Sequence, residues 1–358
     1  MTNKGMLPLD PLLVTECKVK GGCSLVGDVR GDENIALHSM HTLWVREHNR
    51  IATELKKVNT GWSEEKLYQE ARKIVTAMYQ HIIYSEYVPK LGLVRRYRGY
   101  SSYVIPAVIN AFSTAAFRFG HSLVPNAFSQ LDKNFNKVRE SVLLQKAFFN
   151  TNPVRTHGID ATLIGLMGNQ SDEVNMQFPE GVGRKLFIPF GDKSGYDDLM
   201  ARNIQRGRDH GIRTYGTWRR VCNLPKLRSF DDLDTMMQKG AKEVFQQLYD
   251  HPDNIDLFAA GIAENHLPGF ILGPTFSCII KYQFESLRLA DRFYYENRGV
   301  FSPHQLAQIK KASLAKVICN NLNDMVSVQK DVFKSYYAGA KRVECSTIPE
   351  VDLSAWKH

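Results

Sequence analysis

The amino-acid sequence predicts a mainly α-helical fold, on three observations. Across 35–57, Leu37, Met40, Trp44, Ile51 and Leu55 recur at helical spacing. Ser63 stands where an N-cap belongs, ahead of two glutamates in a first turn and a long amphipathic stretch that Pro89 ends. Helical patterns return over 196–206, 230–250, 274–297, 303–319 and 325–338. Between these blocks, 103–120 (YVIPAVINAFSTAAFRFG) is apolar nearly all round and predicts a buried helix. The stretch 155–200 has glycines, scattered polar residues and little period, and predicts loops and short elements. No repeat, low-complexity tract or linker interrupts the 358 residues, so a single large domain is expected.

Composition excludes some classes. Hydrophobic residues make up 43% and charged residues 23%, which is ordinary for a soluble globular protein. No stretch is long and apolar enough to span a membrane. The first residues lack the charged start and continuous apolar core of a signal peptide. The formal net charge of +9 favours anionic partners, but the lysines and arginines are spread along the chain, apart from a cluster at 202–213. Diffuse charge of this kind reads as a solvated surface, and nucleic-acid binding is disfavoured. The six cysteines (Cys17, Cys23, Cys222, Cys278, Cys319, Cys345) contain no CxxC pair, which argues against a zinc ribbon. They read as disulfides of an oxidising compartment or as buried thiols, with the pairing left open. One glycosylation sequon, Asn169-Gln170-Ser171, fits a secreted chain but arises readily by chance.

Three short stretches carry chemistry. In FRFGHS (117–122), Arg118 and His121 end the most apolar segment. A buried arginine is costly unless an anion pairs with it, and a histidine there needs partners for both ring nitrogens. An internal salt bridge with a hydrogen-bonded core histidine meets these needs, and so does haem, through its propionates and its iron. In ARNIQRGRDHG (201–211), Asn203 falls on the last turn of a helix if that helix ends near Gly207. Its carbonyl could there accept the second ring N–H of a metal-bound histidine. The arginines around it could instead form a phosphate patch or a solvated helix end. In GDVRGDEN (27–34), Arg30 and Glu33 stand three residues apart at the mouth of the first helix, followed by His38, His41 and His48. His38 and His41 are spaced for a metal on one helix face, but two ligands without a third are a weak signal. Arg30-Gly31-Asp32 is also the tripeptide of cell-adhesion ligands, a match of low specificity.

Taken together, GDVRGDEN, SMHTLWVREHNRIATEL, YQEARKIV, AAFRFGHSLV, NIQRGRDHGI and ADRFYYENRGVFSPHQLAQIKKASLAKVICNN resemble the animal haem peroxidases, and most closely the peroxidasin branch. The resemblance runs in the family's order over roughly 17–356. It implies the multi-helix animal haem peroxidase fold with haem between helices. By position, His121 matches the proximal iron ligand and Asn203 the asparagine bonded to it. Arg118 and Arg206 match arginines that meet the propionates. Arg30 matches the arginine on the peroxide side, where it would stabilise charge as the O–O bond breaks. Glu33 matches the glutamate esterified to the haem periphery. Where myeloperoxidase has a haem-bonded methionine after that glutamate, this chain has Asn34, so that link is not expected. The resemblance also implies the disulfides 17–23, 222–278 and 319–345, and an extracellular location. The implied reaction is reduction of hydrogen peroxide with oxidation of a halide or small organic donor.

The family's distal histidine, a halide-binding glutamine, the aspartate of a second ester and most calcium ligands all precede the segment matching Cys17. The 16 residues before Cys17 contain no histidine. The expectation is therefore a non-matching segment 1–16 followed by a partial peroxidase domain over 17–358, with calcium expected only in the full domain. Two readings follow. One is part of a longer peroxidase, favoured because the matching sites are intact. The other is a non-catalytic extracellular matrix or binding protein built on the same fold.

Overall fold

The computed structural model describes residues 5–10, 17–20, 22–92, 96–187 and 197–357. Of the segment 1–16, only 5–10 is described, and 188–196, which includes the start of the helix expected at 196, lies outside the described residues. Among the described residues the fold is mainly helical with two small antiparallel sheets, the class the sequence predicts. The chain divides into two compact units, one made of 1–87, 126–170 and 298–358, the other of 88–125 and 171–297.

The first unit is built on two long helices, α1 (Ile35–Val58) and α2 (Glu64–Ile82), packed together. Asn34 caps α1, its side-chain oxygen accepting from the backbone N–H of Ala36 and Leu37 at 3.0 Å each. Ser63 caps α2 as expected, with Glu64 and Glu65 in its first turn. Leu43, Ile51 and Leu55 of α1 are fully buried. The buried face is turned from the expected stripe: Leu37 is exposed, while the polar residues His38, Thr42 and Glu47 lie inside. Each finds partners there. Glu47 accepts from the Arg50 fork at 2.8 Å twice and from Asn321 at 2.7 Å. A hairpin of β1 (Ala127–Leu131) and β2 (Lys137–Leu143) pairs Ala127 with Leu143 and Leu131 with Lys137. It lies against the helix Asp160–Gly168, where a Cβ on Gly165 would come within 2.0 Å of the Ser129 carbonyl oxygen. Glycine is therefore needed at that crossing.

The expected helix over 325–338 does not form. Ser327–Gln329 (β3) instead pairs with Arg342–Glu344 (β4), next to the Cys319–Cys345 disulfide. β-Branched Val326 and Val328 suit that pleated surface better than a helix. The expected helix over 303–319 is two helices, Pro303–Ile309 and Leu314–Asn321, because Ser313 caps a new start.

In the second unit the expected buried helix over 103–120 is corrected. Its first half is non-helical and solvent-facing, with Tyr103 97% and Ile105 76% exposed. Pro106 disfavours helical geometry at Ile105 and removes an N–H, so regular structure starts only at Asn110. A short helix, Asn110–Thr114, leads into a 3₁₀ helix, Ala116–Leu123. The helix Pro274–Ala290 packs on both, and Leu257–Ala263 packs on the 3₁₀ helix and on Leu199–Asp209. The stretch 230–250 is likewise split, with left-handed Gly240 preceding a helix at Ala241–Leu248. A core hub closes the unit: buried Glu264 accepts from Tyr215 Oη at 2.6 Å, from Thr275 N at 2.8 Å and from Arg219 at 3.3 Å. Cys222 and Cys278 form the disulfide that joins the helices Tyr215–Val221 and Pro274–Ala290.

Candidate functional site

The second unit brings Arg118, His121 and Asn203 together. Three residues per turn stack positions i and i+3 on a 3₁₀ helix. Ala116, Phe119 and Ser122 therefore form its buried face, and Arg118 and His121 share an adjacent one. Phe112, Phe117 and Phe284 pack beside it, with Phe112 and Phe117 stacked at 4.6 Å. Opposite runs the helix Leu199–Asp209, capped by Asp198, whose carboxylate accepts from the N–H of Met200 and Ala201. Met200 and Asn203, again three apart, are its buried residues.

Asn203 is fully buried and bonded on both sides of its amide. Its Nδ2 lies 2.9 Å from His121 Nδ1, and its Oδ1 accepts from Arg118 Nη1 at 2.9 Å. Arg118 Nε also donates to the Ser113 carbonyl at 3.1 Å. No carboxylate pairs with Arg118 among the described residues. Burial lowers the pKa of Arg118, and the nearby positive charge of Arg206 lowers it further. Burial, then the Arg118 charge, depresses the His121 pKa to about 4, so the ring is neutral at pH 7. His121 Nε2 has no hydrogen-bond partner among the described residues.

Arg206 is half-exposed, with Asp209 at 3.3 Å. The arginine cluster around it is not a free phosphate patch. Arg202 is held by Asp197 and Arg208 by Asp256, so much of its charge is neutralised locally.

Arg30 and Glu33 belong to the first unit. Arg30 is exposed, and its guanidinium grips Asp28 with two bonds, Nε to Oδ1 at 2.9 Å and Nη2 to Oδ2 at 2.7 Å. That grip holds the Asp28 carboxyl well below its usual range. Glu33 is half-buried, and burial raises its pKa against the opposing pull of Arg30. Its carboxyl makes no hydrogen bond among the described residues.

The neighbouring Asp32 was not recognised in the sequence as a core residue. It accepts from His38 Nδ1 at 2.8 Å and from Ser24 N at 2.5 Å, and both its side chain and that of His38 are buried. Arg155 donates to Ser24 Oγ and to the Leu7 carbonyl, extending the network. A buried Asp32 cannot serve as the aspartate of an adhesion tripeptide. No local period marks Asp32; an aspartate six residues before a helical histidine was the only trace. Burial pushes the Asp32 carboxyl up, but the bonds from His38 and Ser24 outweigh it and lower its pKa. The folded state thus binds fewer protons than the unfolded one near pH 4, so this contribution is present above the unfolded value and is lost as pH falls through the folded one. Asp32→Ala is expected to cost about 3 kcal/mol, as for a buried pair that loses one partner. Urea denaturation checks this: the midpoint should fall with an unchanged slope, and the difference between variant and parent should shrink in acid.

The disulfides are Cys17–Cys23, Cys222–Cys278 and Cys319–Cys345, the pairing the family resemblance implies. Asn169 of the sequon is half-buried and donates from Nδ2 to Ser129 Oγ at 2.5 Å. Among the described residues no helix is long and apolar enough to cross a membrane.

Comparison with known proteins places these residues in a family. The sequence profile of the animal haem peroxidases matches residues 1–333, and the chain belongs to that family. The human peroxidasin homolog is 43% identical over 376 residues, covering 99% of this chain and 25% of that protein. Pig thyroid peroxidase is 41% identical over 347 residues, covering 94% of this chain and 37% of that protein. Among solved structures, peroxidase A of Dictyostelium discoideum superposes with a TM-score of 0.82 at 31% identity, covering 92% of this chain and 63% of that one. The chain thus spans about a quarter of the length of the peroxidasin relatives it matches.

Proposed function

We propose that the chain is the haem-holding part of a secreted peroxidase that reduces hydrogen peroxide and oxidises a halide or small organic donor. The observation that carries this is the Arg118–Asn203–His121 cluster. Its donor chemistry fits haem. Among the described residues, a neutral imidazole is anchored through Nδ1 and keeps Nε2 without a partner, beside a guanidinium that lacks a carboxylate. When bound, haem supplies the redox-active iron that accepts and returns electrons.

The chain's own residues supply the rest. His121 holds the iron through Nε2, and Asn203 fixes the plane of its ring. Arg118 and Arg206 offer positive charge to the propionates. Arg30, always protonated, offers positive charge to peroxide and cannot act as its base. Asp28 keeps the Arg30 fork from wandering. Glu33, favoured in its neutral form by burial, is the carboxyl available for a peripheral ester. Calcium belongs to the larger domain of the family rather than to the groups described above. Three disulfides fit an oxidising, extracellular compartment.

The test is peroxide-dependent oxidation of bromide and of a phenol by the haem-loaded chain, against free haem at equal concentration. Turnover above free haem that is lost in His121→Ala is the expected result. Turnover no better than free haem, with haem bound, would leave the chain a non-catalytic member of its family.

A further inference from the structure

The stretch 100–109 is fastened by its backbone to the helix Pro274–Ala290, with its apolar side chains turned out. At one end the Ser101 N–H donates to the Leu289 carbonyl at 2.8 Å. At the other, Gln283 of that helix is fully buried. Its Oε1 accepts from the Ile109 N–H at 2.7 Å, and its Nε2 donates to the Ala107 carbonyl at 3.1 Å. Just ahead of this strap, the Tyr97 ring packs on Tyr294 at 4.7 Å. From Tyr103 to Val108 every residue except Val104 is exposed, and none is charged. Apolar residues scattered singly over a surface need no explanation, but an ordered run of them marks a place of contact.

The rim of the run is basic. Arg96 and Arg98 are exposed and form no ion pair among the described residues. No carboxylate occurs from Arg96 to Asn110. Beyond the Tyr97–Tyr294 contact, Arg292 lies over the ring of exposed Phe293, 4.6 Å from its centre. The carboxylates Asp291 and Glu296 stand near Tyr97, at the anchored end. The strap offers side chains rather than a strand edge. Pro106 has no N–H, and the Ala107 carbonyl and Ile109 N–H are taken by Gln283. Aliphatic side chains flanked by tyrosine and arginine suit the boundary of an anionic bilayer. There the aliphatic carbons leave water, the rings sit at headgroup depth and the guanidinium groups meet lipid phosphate.

We propose that the strap 100–109 docks the chain on the surface of an anionic lipid bilayer. Ile105 and Val108 enter the headgroup boundary, Tyr100 and Tyr103 lie among the headgroups, and Arg96 and Arg98 meet lipid phosphates. This is a surface contact and not a span. The bonds to Gln283 and Leu289 favour it, because a strap ordered in advance loses little freedom on binding. The proposal stands apart from the haem role of His121 and does not depend on it.

The probes are vesicles of phosphatidylcholine alone and of phosphatidylcholine mixed with phosphatidylserine, sedimented with the full chain. The chain should go down with the mixed vesicles, stay largely in solution with the neutral ones, and come off as salt is raised. Ile105→Ser leaves the charge unaltered and should weaken binding roughly tenfold or more, the scale of one aliphatic side chain left in water. Arg96→Ala with Arg98→Ala should weaken it about twentyfold, from about fivefold for each arginine. Ile105→Trp should bind at least as tightly as the wild type, because an indole suits the headgroup region. A strap that acted only through the stability of the fold would not show that gain. Circular dichroism should be the same in all of these proteins, since the substituted side chains are exposed. Absence of sedimentation with the mixed vesicles would overturn the proposal. So would binding left unchanged by both Ile105→Ser and the arginine pair. A chain that pairs in solution through Ile105 and ignores vesicles would also overturn it, and would make the strap a contact between two copies.

Discussion

Supplying a general base on the peroxide side should raise turnover of the haem-loaded chain by about 10²–10⁴-fold, the usual contribution of a positioned base. The groups assigned to that side do not fill this role. Arg30 stays protonated at any working pH and already grips Asp28. Glu33 is the carboxyl proposed for the peripheral ester, which leaves it no carboxylate to act as a base. Of the histidines that follow, His38 is sealed in the core with Nδ1 on Asp32, and His48 lies on the surface against the Tyr68 ring. The measurement compares peroxide consumption by the 358-residue chain before and after a histidine-bearing segment from a family member is added, fused or as a separate chain. Arg30→Ala should then lower the restored rate and leave the His121-dependent absorption unchanged. Equal rates with and without the added segment would mean that a base already lies within these residues.

Opening the Cys222–Cys278 disulfide should be the most damaging change to stability that leaves the candidate site's side chains untouched. The bridge spans 56 residues of the second unit. Freeing a loop of that length in the unfolded chain corresponds to about 4 kcal/mol. That is a large fraction of the ~5–15 kcal/mol that holds a typical domain together. The paired change Cys222→Ser with Cys278→Ser should lower the urea midpoint steeply and make haem uptake depend on temperature. The paired change Cys17→Ser with Cys23→Ser, with a separation of only 6, should cost less. Equal losses from the two bridges would show that loop closure is not what the longer one contributes.

How much of this was legible in the sequence depended on where each residue finds its partners. The helices α1 and α2 were readable because caps and period are local: Ser63 and its glutamates announce α2 within a few residues. The stretch 103–120 was misread because apolar composition outweighed Pro106, one residue that sets the backbone. The stretch 325–338 was misread because its strand partner lies beyond it at Arg342–Glu344. The buried polar face of α1 was hidden for the same reason. Glu47 answers to Asn321, and His38 to a loop aspartate whose burial no period reveals.

The candidate site shows the same division. Arg118 and His121 stood out as polar residues in an apolar run. Their bonds to Asn203 join positions 82 and 85 residues apart; the place of Asn203 on a helix end offered the histidine bond as one possibility, and the resemblance to a family singled it out. The direction of that bond was not suggested by anything in the sequence. The expectation was an Asn203 carbonyl accepting from His121, whereas here the carbonyl is taken by Arg118. Charge competition within a cluster is a property of the assembled structure.

His121 is the residue proposed to hold haem. That role is tested most directly by the absorption spectrum of ferric haem titrated into three proteins: the wild type, His121→Ala, and His48→Ala as a surface control. A histidine-ligated Soret band should saturate at equimolar haem in the wild type and in His48→Ala, and should be lost in His121→Ala. An unchanged band in His121→Ala would contradict it.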